Sequence, residues 1–372
     1  MLLYELPFCF FFDNARPLFF ANLAEILVIN WHTWQISRIL FQDNHRVNLL
    51  TIGLSFLFLP QFFFLVFAHN TIPGLTLFVM GWYWLLRWEQ RPEKWGFSVL
   101  GAALLGAAVL LRSNYLIGVA AISLWELTMF FKTGQKGRLA VILAAIAFSV
   151  GFSSLSKMLV SYITEATLDE GMPSVLWIAM GTDPSNTVYC PGWYSDYCLD
   201  TYRGAGCDAS VAAGLGMEKI LDNLIYFVNN PGYALEYFGK KFVSTWCEPT
   251  FQSIWNGPLS RIEQPAYSFC VTSLYDMGAV YSAVYRLCKG VLMVLLVSAA
   301  GFCLVRRKDF PVYGMPLIFL TGGALFHLMW ETKSQYVYPY IFMLIPLSAA
   351  GLSDFYTWLS ARWRKFRGKE IL

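Results

Sequence analysis

Three short stretches of this 372-residue chain carry side chains able to do chemistry. The first is Trp330-Glu331-Thr332-Lys333-Ser334-Gln335-Tyr336, with Tyr338-Pro339-Tyr340 beyond it, which puts an acid, a base and a tyrosine in one short loop. A carboxylate can take the proton of a hydroxyl, and a fixed ammonium can stabilise an anionic oxygen as its charge develops. The second stretch is Lys240-Lys241, followed by Trp246-Cys247-Glu248-Pro249. Lysines on a surface helix can reach a headgroup phosphate. The third is Leu111-Arg112-Ser113-Asn114-Tyr115, where an arginine between two apolar runs needs a polar cavity, a headgroup or a partner. Each has a plainer reading: an interfacial Trp/Tyr belt with an incidental Glu–Lys pair, ordinary surface lysines, and a bundle-internal ion pair. Residue type alone favours the plain reading for the first two. Glu25, Glu126 and Lys157 also need partners inside the bundle, and a Glu–Lys pair is the expectation.

Other chemistries leave no trace. There is no GxxxxGK[ST], no GxGxxG, no HExxH and no GxSxG, so neither a nucleotide cradle nor a metal or serine hydrolase is indicated. His32, His45, His69 and His327 fall in or near helix ends and read as structural. No CxxC occurs, and no metal site is expected.

Only 14% of the residues are charged, 57% are hydrophobic and the mean hydropathy is positive. Soluble domains carry about 25% charged residues. This composition excludes a disordered or fibrous chain and an ordinary soluble enzyme, and it predicts an all-α polytopic membrane protein. A net charge of +3 scattered in small clusters argues against nucleic acid as a partner. Nine apolar runs are long enough or nearly long enough to span: 17–41, 47–68, 72–87, 96–111, 114–131, 139–161, 286–305, 311–330 and 336–358. The spacing predicts two helices over 96–131, interrupted at Arg112-Ser113-Asn114.

Basic residues cluster in alternate loops: Arg46; Arg87, Arg91 and Lys94; Lys132, Lys136 and Arg138; Arg306, Arg307 and Lys308; and Arg362, Arg364, Lys365, Arg367 and Lys369. The opposite short segments hold only Arg16, Arg112 and Lys333. The positive-inside rule therefore predicts a multi-pass cell-membrane protein with a cytoplasmic C-terminus and segment 162–285 outside. The expected organisation is a transmembrane bundle over 1–161, a mainly helical or irregular extracytoplasmic domain over 162–285, transmembrane helices over 286–358 and a basic tail over 359–372. Residues 1–12 are too short to span and lack a basic leader, so a cleaved signal peptide is not expected.

Segment 162–285 has 13 acidic and five basic residues. Two helices are legible in it, over 217–228 and from Asn230-Pro231 to about Trp246. Asn230 is the expected cap and Pro231 the first helical residue. Ala234, Tyr237, Phe238, Phe242 and Trp246 form the apolar stripe of the second, which suits either a membrane surface or a packing face. Of the five cysteines here, Cys190, Cys198 and Cys207 are the expected disulfide formers in an extracytoplasmic setting.

Taken together, L-R-S-N-Y-L-I at 111–117, F-G-K-K-F-V-S-T-W-C-E-P-T-F at 238–251 and E-T-K-S-Q-Y-V-Y-P-Y at 331–340 resemble the bacterial membrane glycosyltransferases of the GT-C class. Within that class the chain looks most similar to the protein-mannosyltransferase-like members. Gly171-Met172-Pro173-Ser174-Val175-Leu176-Trp177-Ile178-Ala179-Met180-Gly181, with Gly192-Trp193-Tyr194 beyond it, resembles the opening of their outer domain. The resemblance covers most of 17–358.

The resemblance implies transfer of a hexose from a polyprenyl-phosphate carrier to a cell-envelope glycan or lipid acceptor outside the membrane. It implies no nucleotide at the site and no cofactor beyond the lipid-linked sugar donor, with membrane lipid as the other partner. By the same resemblance Glu331 is the catalytic-site carboxylate, orienting substrate or supporting acid–base transfer. Lys333, Lys240 and Lys241 are phosphate contacts, Tyr336 is a substrate contact, and Arg112 and Asn114 match the pattern without an assigned role. Where the family often has arginine this chain has Gln335. The family's catalytic aspartate sits in a first outer loop that has no counterpart here, and Asp13 is not expected to replace it. The outside-to-inside start therefore reads as the family's second helix, in a truncated or inactive form. Two other classes fit the composition: a transporter or flippase of lipid-linked saccharides, and a non-enzymatic envelope component.

Overall fold

The computed structural model describes residues 2–11, 16–67, 69–165, 171–186, 190–257 and 269–367. Asp13, Asp169, Glu170, Arg261, Glu263 and Lys369 lie outside the described residues. Among the described residues every regular element is a helix and none is a strand. The chain divides into two compact units, Met1–Ser153 with Gln252–Phe319 and Pro339–Leu372, and Ser154–Phe251 with Leu320–Tyr338.

Among the described residues, three helices are long and apolar enough to cross a membrane: Tyr115–Thr133, Gly137–Thr164 and Ala279–Val305. Two bent pairs raise the number to five if each is one span, and Trp95–Leu111 and Tyr313–Met329 are shorter apolar helices. The nine expected runs exceed this count because prolines break some runs and polar residues dilute others. Run 47–68 becomes His45–Leu57 and Pro60–Val66, bent by 44°. Pro60 has no N–H to donate and its ring crowds the preceding turn. Run 336–358 likewise becomes Ser334–Phe342 and a helix starting at Ile345, bent by 55°. The two helices expected over 96–131 are present, as Trp95–Leu111 and Tyr115–Thr133.

In the first unit, helix Arg16–Leu40 shows why polar residues sit in an apolar run. Asn22 donates to the Leu65 and Phe67 carbonyls at 2.9 and 3.2 Å. Asn30 donates to the Gln61 side chain at 3.1 Å. A broken helix leaves carbonyls without intrahelical donors, and in an apolar setting these must be satisfied by protein. The same polar residues lower the mean hydropathy of the helix.

The expected Glu–Lys pairing is corrected here. Glu126 pairs with Arg138 at 2.6 Å, and Arg138 also reaches Glu89 at 2.8 Å. Glu25 accepts from the Tyr4 hydroxyl at 3.0 Å, and Lys157 is exposed. Arg138 is thus an internal ion-pair residue rather than a loop cation.

The second unit is built on Val175–Gly181, Tyr197–Gly204, Ala209–Asn229 and Pro231–Trp246. Leu176, Met180, Cys198 and Ala212 form a buried core cluster. Helix Ala209–Asn229 starts earlier than its apolar stripe suggests, because Asp208 caps it by accepting from the Ser210 and Val211 amides at 2.8 and 3.1 Å. Helix Pro231–Trp246 has the expected bounds, and its buried face overlaps the expected stripe but is rotated toward Lys241. Tyr237, Lys241, Thr245 and Trp246 are buried, whereas Phe242 is exposed. Asn230 does not cap it by accepting: its side chain donates to the Tyr226 carbonyl at 2.9 Å.

Candidate functional site

The second unit brings together four of the stretches singled out above. Glu331 lies two residues beyond helix Phe310–Met329. Its amide donates to the Trp177 carbonyl at 3.2 Å, and the next amide, Thr332, donates to the Gly192 carbonyl at 2.9 Å. The acidic turn is therefore latched by backbone bonds to segments 171–181 and 192–194. Helix Pro231–Trp246 completes the cluster with Thr245, whose hydroxyl donates to that of Thr332 at 3.3 Å.

Lys241 is the centre of this latch. It is 1% exposed, and its ammonium donates to the carbonyls of Gly181, Leu328 and Trp330 at 2.6, 2.9 and 2.9 Å. Three acceptors match the three donors of an ammonium. Burial pulls its pKa down to about 7, and the nearby Glu331 carboxylate opposes that shift. Tyr237, one turn earlier on the same helix face, also donates to the Gly181 carbonyl, at 3.2 Å.

Two glycines make the close approach possible. A Cβ on Gly181 would stand 2.4 Å from the Trp330 carbonyl carbon and 2.5 Å from the Glu331 nitrogen. Gly192 has φ +73°, a conformation glycine adopts without steric cost, and its Cβ would meet the Lys241 Cε at 2.4 Å. Gly192→Ala is expected to destabilise this unit by about 2 kcal/mol, from backbone strain plus displacement of Lys241. A thermal melt of the detergent-solubilised chain checks this.

Glu331 itself is 3% exposed, and its Oε1 accepts from the Tyr336 hydroxyl at 3.4 Å. The His327 ring stacks on Tyr336 at an interplanar angle of 27°, with centroids 6.0 Å apart. Lys333 is half-buried, with its ammonium 5.4 Å above the Tyr194 ring centroid, a cation–π arrangement. Glu248 holds the far side of the turn: its Oε2 accepts from the Ser334 hydroxyl at 3.1 Å and its Oε1 from the Thr250 hydroxyl and amide. Glu331, Tyr336 and Lys241 are thus brought together, with Lys333 on the same turn. Lys240 is not with them. It points out of the helix and pairs with Glu236 at 2.6 Å, both side chains being more than half exposed.

The disulfide expectation is corrected. Cys190, Cys198 and Cys207 are all free, as are Cys247 and Cys270. Cys198 packs in the core cluster with its sulfur 3.8 Å from that of Met180. Burial, and secondarily the Glu331 charge, pushes its pKa up to about 12, so it is an inert thiol. Sequence reasoning grouped it with two loop cysteines and missed its place in the core cluster. It also missed Tyr237, although an i, i+4 pairing with Lys241 was there to be read.

Arg112 and Asn114 belong to the first unit. Arg112 is buried at the end of helix Trp95–Leu111, and its Nη1 donates to the Thr71 hydroxyl at 2.6 Å. His69 Nδ1 bonds the same hydroxyl at 2.8 Å. Burial, and then the Arg112 charge, holds the His69 pKa down to about 4, so the imidazole is neutral near pH 7. Asn70 donates to the Leu111 carbonyl, and Tyr115 to that of Thr71 at 3.4 Å. This network ties the helix break to the start of Thr71–Gln90. Asn114 opens the following helix without a side-chain cap.

No group of three or more His, Cys, Asp or Glu placed to hold a metal occurs among the described residues. The chain matches no protein-family model, no curated protein and no solved structure.

Proposed function

We propose that this chain is a membrane glycosyltransferase of the GT-C kind, which moves a sugar from a polyprenyl-phosphate carrier to a cell-envelope acceptor. In this reading the nine apolar runs cross the membrane. Segment 162–285 and the Glu331 turn lie outside, and the basic tail lies in the cytoplasm. One observation carries it: a buried carboxylate, Glu331, beside the Tyr336 hydroxyl and the Lys241 ammonium, in a turn latched by backbone bonds at a helix end. A carboxylate withdrawn from water in a fixed frame suits proton abstraction.

In the proposed step the acceptor hydroxyl oxygen bonds the anomeric carbon and its proton passes to the Glu331 carboxylate. The bond from that carbon to the carrier oxygen breaks, and the electron pair leaves on the lipid phosphate. Lys333 is the cation placed to meet that charge. Lys241 is engaged by three carbonyls and Lys240 by Glu236, so we assign them support and surface roles instead. Arg112 and Asn114 keep no assigned role.

The purified chain is supplied with radiolabelled polyprenyl-phosphate hexose and acceptor membranes. Glu331→Gln is expected to lower the transfer rate about 10²- to 10⁴-fold, the usual contribution of a general base. Unchanged transfer in that variant, or no bond cleavage by the parent chain, rejects the reading. The two bent helix pairs favour one competitor, since broken spans are a feature of transporters. Labelled lipid crossing liposome membranes with its glycosidic bond intact would establish that alternative.

A further inference from the structure

Within the first unit, helices Ala279–Val305 and Ile345–Arg367 run side by side and parallel. Ser348 donates to the Leu295 carbonyl at 2.7 Å, and Arg306 pairs with Asp354 further along. Gly351 lets them approach closely, for a Cβ there would stand 2.0 Å from the Ser298 carbonyl oxygen. Beyond that contact the helices leave a recess of about 780 Å3, floored by Gly301 and walled by Val297, Phe302, Phe355 and Trp358. Phe355 and Trp358 are each more than half exposed. The volume falls within the roughly 300–1,000 Å3 range of ligand sites, so this is a cleft rather than the ordinary ridged face of a spanning helix.

The two ends of the recess differ. Met293 and Val294 lie at one end, and Val305, Asp354 and Trp358 at the other. Two guanidinium groups stand at the second end. Arg306 grips Asp354 through Nε–Oδ2 and Nη2–Oδ1 contacts of 3.1 and 3.3 Å. Arg362 lies 5.3 Å above the Trp358 ring centroid. Asp354 and the exposed Asp309 offset two charges, but the exposed Arg307 and Lys308 follow Arg306 directly, so with Arg362 the balance at this end stays positive. An apolar cleft closed at one end by cations matches a molecule with a long hydrocarbon tail and an anionic head.

We propose that this recess binds an anionic phospholipid, with one acyl chain lying over Gly301 and the phosphate meeting Arg306 and Arg362. A second copy of the chain is a poorer occupant. Two-fold pairing through parallel helices would bring each patch against itself, setting these cations against like charges. A zwitterionic lipid would fill the cleft equally well but gain less from the guanidinium groups, since basic residues at the surface select anionic headgroups.

The test uses the full chain in neutral detergent, titrated with phosphatidylglycerol or with phosphatidylcholine of the same acyl chains, and reads the thermal midpoint. Phosphatidylglycerol is expected to raise it at about tenfold lower concentration than phosphatidylcholine. A Cβ on Gly301 meets nothing within 4 Å, so Gly301→Phe fills the cleft without an initial clash and is expected to abolish the phosphatidylglycerol shift, while Gly301→Ala keeps it. Arg362→Gln, a change at an exposed residue, is expected to erase the preference for the anionic lipid; it carries the test if Gly301→Phe does not fold. Equal responses to the two lipids overturn the proposal. So does a preference that survives Gly301→Phe or Arg362→Gln. A lipid-independent fall in sedimenting mass in Gly301→Phe would assign the cleft to a second copy and overturn it as well.

Discussion

Lys241→Met is expected to lower the thermal midpoint of the second unit by roughly 8–16 °C, the equivalent of about 2–4 kcal/mol in a domain of this size. Methionine fills the channel left by the lysine stem. The loss therefore comes from the carbonyls of Gly181, Leu328 and Trp330, which give up a donor each. A buried acceptor stripped of its partner costs about 1–3 kcal/mol, and removal of a costly buried ammonium offsets part of the sum. Lys241→Arg is not expected to rescue, because Gly192 packs against the lysine stem and leaves no room for a planar fork.

The pH dependence has a definite sign. An unfolded lysine titrates near 10.5 and Lys241 in the folded chain near 7. Between these values the unfolded state binds more protons, so stability rises with pH across that window. Below pH 7 both states are protonated and the contribution is constant. The parent chain should therefore gain stability between pH 7 and 10 by more than Lys241→Met does. Melts at pH 6.5, 8 and 9.5 read this directly, and identical slopes in the two chains contradict it.

Arg138→Met is expected to destabilise the first unit by about 3–5 kcal/mol, the usual effect of removing one member of a buried ion pair. Arg138 is the shared partner of Glu126 and Glu89, with side-chain exposures of 5, 2 and 22%. Without it two carboxylates remain together in a closed site, and they repel. Adding Glu126→Gln removes one of those charges, so the double variant should recover part of the loss. Chemical denaturation in micelles compares the three chains. A double variant less stable than the single one argues against like-charge repulsion as the cause.

Much of the local structure was written in residue order. The stop at Arg112-Ser113-Asn114 is a real helix break, and Pro231 opens a helix that closes at Trp246. The broken spans were less legible. Pro60 lies inside an apolar run whose composition says span, yet the chain bends there, and the Leu65 and Phe67 carbonyls at the end of the second piece accept from Asn22 of a distant helix. Periodicity found most of the inward face of helix Pro231–Trp246, since Tyr237 and Trp246 of the expected stripe are buried; it missed that Phe242 turns outward while Lys241 and Thr245 turn in. The carbonyls that make that burial tolerable lie some 60 to 90 residues away in the chain.

The order of amino acids was enough to establish a helical, apolar chain with several candidate spans, because hydrophobic content and helix-breaking residues act over a few neighbours. It also marked Glu331, Lys333 and Tyr336 as one polar turn. Only the folded chain decided that Lys241 is a structural cation while Lys240 is a surface one, that Cys198 is a core thiol, and that Arg138 binds two glutamates. Each of those depends on what the distant chain supplies to a buried charge or thiol, and desolvation is a property of the finished packing.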